Sequence, residues 1–315
     1  MTSFIQLEYI VAVAKYQSFS KAATHCFVTQ PTLSMQIKKM EEDLDVILFD
    51  RSKKPVTPTE VGESVIEQAK IILSETDKID EIIQFSKKTL SGRLTLGIIP
   101  SIAPYLLPNF IGRFAKKFPD LEISIKEMLS EDLMDGIEKG DVDMGILATP
   151  LPRNGFKTTP LYYERIMLYC HKNHDFANLS QIDISTMRDQ KIWLMSNGNC
   201  FRNQAVNLCE LQEDKDQSGF SYESASIETL IKLVDKEGGI TLIPELVCNN
   251  LTAKRKENVK PFKDINPLRE VSLITSRIFI KKRMREALID AIRSNLPEEM
   301  LKMKIGEVVE WAQTH

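Results

Sequence analysis

Two cysteines nine residues apart carry the strongest hint of chemistry in this chain. They lie in Ser196-Asn-Gly-Asn-Cys200-Phe-Arg202-Asn-Gln-Ala-Val-Asn-Leu-Cys209-Glu210, after an apolar run, Ile192-Trp193-Leu194-Met195, that reads as a buried strand. The Ser/Asn/Gly cluster breaks that run, and Asn199 is a good helix N-cap. Cys200 then falls in the first turn of a helix, where unpaired amides and the helix dipole favour negative charge, and Arg202 adds to the effect. Such surroundings favour a reactive thiolate. In an unbroken helix the Cα atoms of Cys200 and Cys209 stand roughly 13 Å apart at ~1.5 Å per residue. A disulfide needs them within about 7 Å. Bridging the pair therefore unravels the helix, which makes a thiol pair a conformational switch. The competing reading is plain: a free cysteine usually serves as a small core hydrophobe.

The elements that would hold such a switch come from the rest of the chain. Its 315 residues suffice for two or three domains, and 43% hydrophobic with 27% charged residues describe an ordinary globular protein. A net charge of -3 and a pI near 6.0 announce neither a nucleic-acid nor a membrane partner. Five irregularly spaced cysteines argue against a secreted disulfide framework and fit a reducing cytoplasm. No basic leader precedes an apolar run, and no run of ~18 apolar residues could span a bilayer, so no membrane role is expected.

In the first sixty residues, Ile5, Tyr9, Ile10, Ala12 and Val13 recur at helical spacing. Phe19 to Ala23 opens a second helix, with Ser20 a plausible cap. A turn through Val28-Thr29 leads to a third at Gln30-Pro31, since proline suits a first turn. There Leu33, Ile37, Met40 and Leu44 share a face and leave Thr32, Ser34, Met35, Gln36, Lys38 and Lys39 pointing away. Leu48 to Thr57 reads as a hairpin with a basic tip at Arg51, Lys53 and Lys54. This is the plan of a winged helix-turn-helix, whose amide and hydroxyl groups reach base edges and whose lysines reach phosphates. With seven Lys/Arg against six Asp/Glu over residues 1–58, the placement of charge carries the argument, not its sum. A helical bundle of another purpose is the alternative.

Thr57-Pro58-Thr59-Glu60 reads as a capping box, with Thr57 at the N-cap. Beyond it Val65, Ala69, Ile72, Thr76, Ile79 and Ile83 recur in steps of four and three, a seam suited to a second copy of itself or to the protein's own core. From Arg93 strands and helices alternate: strands at Leu94–Ile99, Ile123–Ile125, Met144–Leu147, Ile166–Tyr169, Ile192–Met195, Ile240–Ile243 and Val271–Ile274, and helices at Ile102–Lys117 and Asp132–Lys139. This predicts two α/β lobes with a break near Tyr163 and a return near Pro267. Such lobes hold ligands in the crevice at strand ends and helix N-termini. Ser101 and Ser130 sit where a strand gives way to a helix, facing that crevice or simply capping. Cys170-His171-Lys172-Asn173-His174 does not match the usual zinc spacings, so no metal is expected. Cys248 reads as core. Leu301, Ile305, Val308 and Ala312 suggest a last packed helix.

Phe19-Ser-Lys-Ala-Ala23, Val28-Thr-Gln-Pro-Thr-Leu-Ser34 and Leu48-Phe-Asp-Arg51 together resemble the DNA-binding domain of LysR-type transcriptional regulators, and the likeness runs to about residue 295. The resemblance implies a winged helix-turn-helix over 1–58, a linker and dimerisation helix over 59–90 and a two-lobed α/β effector domain resembling periplasmic solute-binding proteins over 91–295; the tail helix expected over 296–315 lies beyond it. It implies Gln30, Pro31, Thr32 and Ser34 at the major groove, with Lys38, Arg51, Lys53 and Lys54 as further DNA contacts. Partners would be double-stranded DNA, one or three further copies of the chain, and RNA polymerase. An enzyme is not expected, nor any cofactor.

Within that family, Cys200-Phe-Arg202-Asn-Gln204-Ala205 with Cys209 resembles the peroxide-sensing branch, as does Pro100-Ser101 followed by Pro104-Tyr105-Leu106-Leu107-Pro108. That likeness implies that hydrogen peroxide oxidises Cys200 to a sulfenic acid and that Cys209 condenses with it. Ser101 and Ser130 stand where the branch carries threonines, and Asn199 where it carries a histidine. Arg277 matches an arginine near the reactive sulfur. A regulator binding a small metabolite between its lobes, with bystander cysteines, is the second reading, and a thiol peroxidase the third.

Overall fold

The computed structural model describes residues 2–86, 90–188, 190, 192–211, 226–277, 279–302 and 306–310. The chain divides into two compact units, residues 1–89 with 278–281, and residues 90–277 with 282–315.

In the first unit, α1 (Phe4–Tyr16) is started by a Ser3–Gln6 capping box. Helix α2 (Phe19–His25) is capped by Ser18, not Ser20. Ser18 holds the extended backbone a cap requires and accepts from the Lys21 amide, whereas the Ser20 carbonyl already takes a hydrogen bond from the Thr24 hydroxyl inside the helix. Helix α3 (Gln30–Leu44) is capped by Thr29, with Pro31 in its first turn. Ile10, Val13, Ala22, Leu33, Ile37 and Met40 fill the space between the three helices. Two predicted core residues lie outside it: Ile5 is 56% exposed and Leu44 41%.

Strands β1 (Phe49–Asp50) and β2 (Thr57–Pro58) form an antiparallel hairpin. Because Thr57 and Pro58 pair with Asp50 and Phe49, they cannot open the next helix. The cap moves two residues on, to Thr59, whose hydroxyl accepts from the Gly62 amide and donates to the Ile47 carbonyl. Helix α4 (Glu60–Ser86) follows. Ala69 of the seam is buried together with Ile66, Val65 is half-buried against the same core, and Ile72 is 36% exposed. The first turns of α4 thus pack on their own unit. The side chains of Ile79 and Ile83 lie outside the described residues.

Among the described residues the second unit is built on a nine-stranded mixed sheet. Strand β3 (Gly92–Ile98) lies between β4 (Leu121–Glu127) and β5 (Met144–Thr149), parallel to both. Helices α5 (Ala103–Lys117) and α6 (Ser130–Glu138) connect them. Strand β6 (Phe156–Cys170) then runs out of this lobe into a second one. There it meets β7 (Ile192–Trp193), α7 (Cys200–Cys209), α8 (Ile227–Glu237), β8 (Ile240–Pro244), α9 (Glu245–Cys248), α10 (Ala253–Lys256) and β9 (Val259–Lys260). Strand β10 (Pro267–Ser276) returns along β6 to pair with β5, and α11 (Lys282–Arg293) follows. The sheet order β4-β3-β5-β10-β6-β8-β7 is therefore that of two lobes joined through β6 and β10. Both strands are long and apolar enough to be buried along most of their length.

Among the described residues the tail forms no α-helix. A single 3-10 turn at Glu298–Met300 precedes β11 (Glu307–Val308), which pairs parallel with the start of β10. A side chain on Gly306 would press on the Asn266 carbonyl, so the chain comes in too close there for any other residue. Ile305 and Ala312, on which the helical pattern rested, lie outside the described residues.

Candidate functional site

Helix α7 begins at Cys200 and ends at Cys209. Asn199 holds the N-cap position, yet its side chain does not cap the helix. Its amide instead donates to the carbonyl and hydroxyl of Ser196, which tightens the preceding loop. Gly198 in that loop has φ +83, and a Cβ there would lie 3.2 Å from Leu129 Cδ1. The loop therefore packs on the residue that precedes Ser130. Pro100, Leu129 and Ser196 line one open cleft of about 800 Å³. The chain ends leading to Ser101, Ser130 and Cys200 are thus gathered at one edge of the lobes, where the carboxyl ends of parallel strands meet helix starts.

Each of these residues is buried: Cys200, Ser101, Ser130 and Asn199 are all under 5% exposed. Ser101 accepts a hydrogen bond of 2.6 Å from Arg269 Nη2. The Ser130 hydroxyl, at the start of α6, has no hydrogen-bond partner among the described residues, an expensive condition for a buried hydroxyl. Arg202 points back along the chain, donating to the Met195 carbonyl.

The arginine of this site is Arg269, not Arg277. Arg277 lies just beyond the end of β10 and is exposed. Arg269, inside β10, is fully buried. Its guanidinium lies 5.1 Å from the ring centroid of Phe201, the residue after Cys200, and 3.6 Å from Glu164 Oε1. Glu164 is also buried and accepts from the Leu246 amide. Burial pushes its carboxyl up to about 7, against the opposing pull of Arg269 and the amide. Both residues were missed in the sequence, although each is a charge set within an apolar strand, a position that demands a partner or a purpose.

The other end of α7 is different in kind. Cys209 is 3% exposed, and burial alone pushes its thiol up to about 12. All five cysteines are free thiols. Cys170 is buried at the end of β6 and donates to the Asn258 carbonyl, while the His171 and His174 rings accept backbone amides two residues on. Cys248 is half-buried at the end of α9.

On the helix-turn-helix unit, Gln30, Pro31, Thr32 and Lys38 are exposed along α3 and Ser34 is half-buried. Thr32 shares a 2.8 Å hydrogen bond with the Thr29 hydroxyl, and Lys38 pairs with Glu42. Arg51 is tied to Glu41 at 2.7 Å, reaches Ser34 Oγ at 3.4 Å and covers the Phe19 ring. It fastens the hairpin to α3 while remaining 39% exposed. Lys53, paired with Asp50, and Lys54 are exposed at the hairpin tip.

Residues 4–63 match the bacterial regulatory helix-turn-helix protein of the lysR family, and residues 87–297 match the LysR substrate binding domain. The chain is 34% identical to the hydrogen peroxide-inducible genes activator of Haemophilus influenzae, over 85% of this chain and 88% of that one. Full-length OxyR of Pseudomonas aeruginosa, in a substituted form, superposes with a TM-score of 0.74 at 31% identity, covering 94% of this chain and 99% of its own. A cysteine variant of Corynebacterium glutamicum OxyR with bound H2O2 is similar at a TM-score of 0.61 and 27% identity, covering 94% and 92%. Among the described residues no helix is long and apolar enough to cross a membrane. The chain belongs to the LysR family of DNA-binding transcription regulators, not to any class of enzyme, and within that family it is similar to the OxyR proteins.

Proposed function

We propose that this protein is a cytoplasmic activator of transcription that senses hydrogen peroxide through a reversible Cys200–Cys209 disulfide. The observation that carries the reading is that two buried free thiols start and end one ten-residue helix, with a buried arginine over the residue that follows the first. The OxyR relatives, one of them solved with bound H2O2, support it.

The chemistry balances with peroxide as the only oxidant. The Cys200 thiolate attacks one peroxide oxygen: an S–O bond forms, the O–O bond breaks, and hydroxide leaves as water after taking a proton. In this reading Ser101, Ser130 and Arg269 hold the peroxide and the developing charge. Asn199 keeps the loop rather than supplying a titratable group. The Cys209 thiolate then attacks the Cys200 sulfur, an S–S bond forms, the S–O bond breaks, and a second water departs. At ~13 Å of helix the cysteines cannot meet until α7 unwinds. The rearranged effector domain (91–295) acts through the linker helix (59–90) on the DNA-binding domain (1–58). The assembly is a dimer or tetramer on double-stranded DNA, in contact with RNA polymerase.

Reduced protein treated with a slight excess of peroxide should form the Cys200–Cys209 bridge within seconds, mapped by peptide mass spectrometry. Slow, scattered oxidation of all five cysteines would refute the reading. Gln30→Ala should lose sequence discrimination more than non-specific DNA binding, and unchanged discrimination would remove Gln30 from the base-reading set. The open cleft beside Ser196 favours a second reading, a small metabolite as effector, under which saturating peroxide leaves DNA binding unaltered.

A further inference from the structure

The C-terminal segment 306–310 lies beyond the matched substrate-binding segment, and it touches the helix that joins the two cysteines. Three observations place it. Its backbone is stitched to the start of β10: Glu307 N donates to the Asn266 carbonyl at 3.2 Å and Val309 N to the Leu268 carbonyl at 2.8 Å, with β11 pairing alongside. At Gly306 a Cβ would sit 2.3 Å from the Asn266 carbonyl oxygen, so this close seat requires glycine. From the other side, α7 reaches for the segment with two side chains. Gln204 Nε2 donates to the Val309 carbonyl at 2.7 Å, and Asn207 Nδ2 to the Glu310 carbonyl at 2.9 Å.

Gln204 is fully buried, and its other amide atom, Oε1, has no hydrogen-bond partner among the described residues. Its bond to Val309 is therefore the one that repays its desolvation. Gln204 and Asn207 lie between Cys200 and Cys209, three residues apart and so on one helical face. The face cannot survive an unwinding of α7.

We infer that residues 306–310 form a strap that holds α7 in its reduced, helical form and is released when the helix melts. The inference rests on the disulfide reading above. It adds that the strap raises the cost of opening α7, so it slows the closing of the disulfide after Cys200 is oxidised. It also makes the tail a second reporter of redox state: once Gln204 and Asn207 let go of its carbonyls, its seat on β10 loosens and its amides exchange faster in the oxidised protein.

Hydrogen–deuterium exchange on the full-length protein tests this. In reduced protein, Gly306→Val, which unseats the strap without touching α7, should raise exchange across 203–209 at least about threefold, as should a chain ending at Leu301. In the unaltered protein, oxidation by peroxide should raise exchange across 307–310 together with 203–209. Stopped-flow oxidation followed by alkylation should show the disulfide closing several-fold faster in Gly306→Val, with the first oxidation of Cys200 unchanged. Unchanged α7 exchange in both reduced variants, or equal protection of 307–310 before and after oxidation, would overturn the strap. The reduced-protein arm uses no oxidant, so its failure is distinct from that of the sensing reading, which falls if unaltered protein never forms the Cys200–Cys209 bridge.

Discussion

The two ends of α7 hold the same residue in opposite settings. At its start Cys200 is buried next to Phe201, whose ring is covered by Arg269, a buried guanidinium that also holds the Ser101 hydroxyl. At its end Cys209 is equally buried, yet burial alone governs its thiol and pushes it to about 12. Equal exposure therefore says little about a thiol; what it is buried among decides its chemistry. Under the proposed mechanism one end reacts and the other is kept in reserve until the helix opens.

The contrast is tested most severely by exchanging each sulfur for oxygen. Cys200→Ser should slow peroxide-dependent thiol loss by on the order of a hundredfold or more, about 2.7 kcal/mol in barrier. If Cys209 alone then reacts at the original rate, the two ends do not differ. Cys209→Ser should leave the oxidation of Cys200 within about threefold while blocking the bridge, so that a sulfenic acid accumulates and can be trapped with a nucleophilic reagent. A collapse of Cys200 oxidation in this variant would make the reserve thiol part of the reactive end.

The pH dependence of bridge closure sharpens the comparison further. The attacking species is the Cys209 thiolate, so closure accelerates as pH rises toward the thiol's pKa. If α7 opens first, Cys209 regains ordinary solvation and the rise should level off near ~8.5. If closure occurred with Cys209 still buried, the rise would continue toward about 12. Rapid-quench measurements between pH 6 and 10 on the order of seconds separate the two.

The smallest effect concerns the support of the polar end. Glu164 binds its proton more tightly in the folded protein, at about 7 against an ordinary 4.5. The stability this gives is complete below about 4.5 and lost as pH rises through about 7. Denaturant melts of the unaltered protein and Glu164→Gln should therefore show the former losing ground between those values, by at most ~3.5 kcal/mol at ~1.4 kcal/mol per unit. A constant difference would place the Glu164 proton elsewhere.

Much of this architecture was legible because it rests on periodic patterns. The helix between the cysteines, the three helices and hairpin of the first unit, and the run of strands from Leu94 to Ile274 follow from apolar spacing and turn residues. Local competition defeated the rest. Ser18 took the cap expected at Ser20, and strand pairing at Thr57 and Pro58 pushed the start of α4 to Glu60. The tail's apolar spacing mimics a helix, yet Gly306 and the free edge of β10 draw it into a strand. The polar site was half legible. Ser101, Ser130 and Asn199 could be placed by their helix starts, but an arginine is located by its partners, and those of Arg269 come from residues 101, 164 and 201. Only the folded chain brings them together.

Gly306 has a consequence for anyone cutting or extending this chain. A fragment ended at residue 297, where the matched segment stops, would lack both backbone carbonyls that Gln204 and Asn207 hold. Such a fragment should be handled as a sensitised form, not as the effector half in isolation.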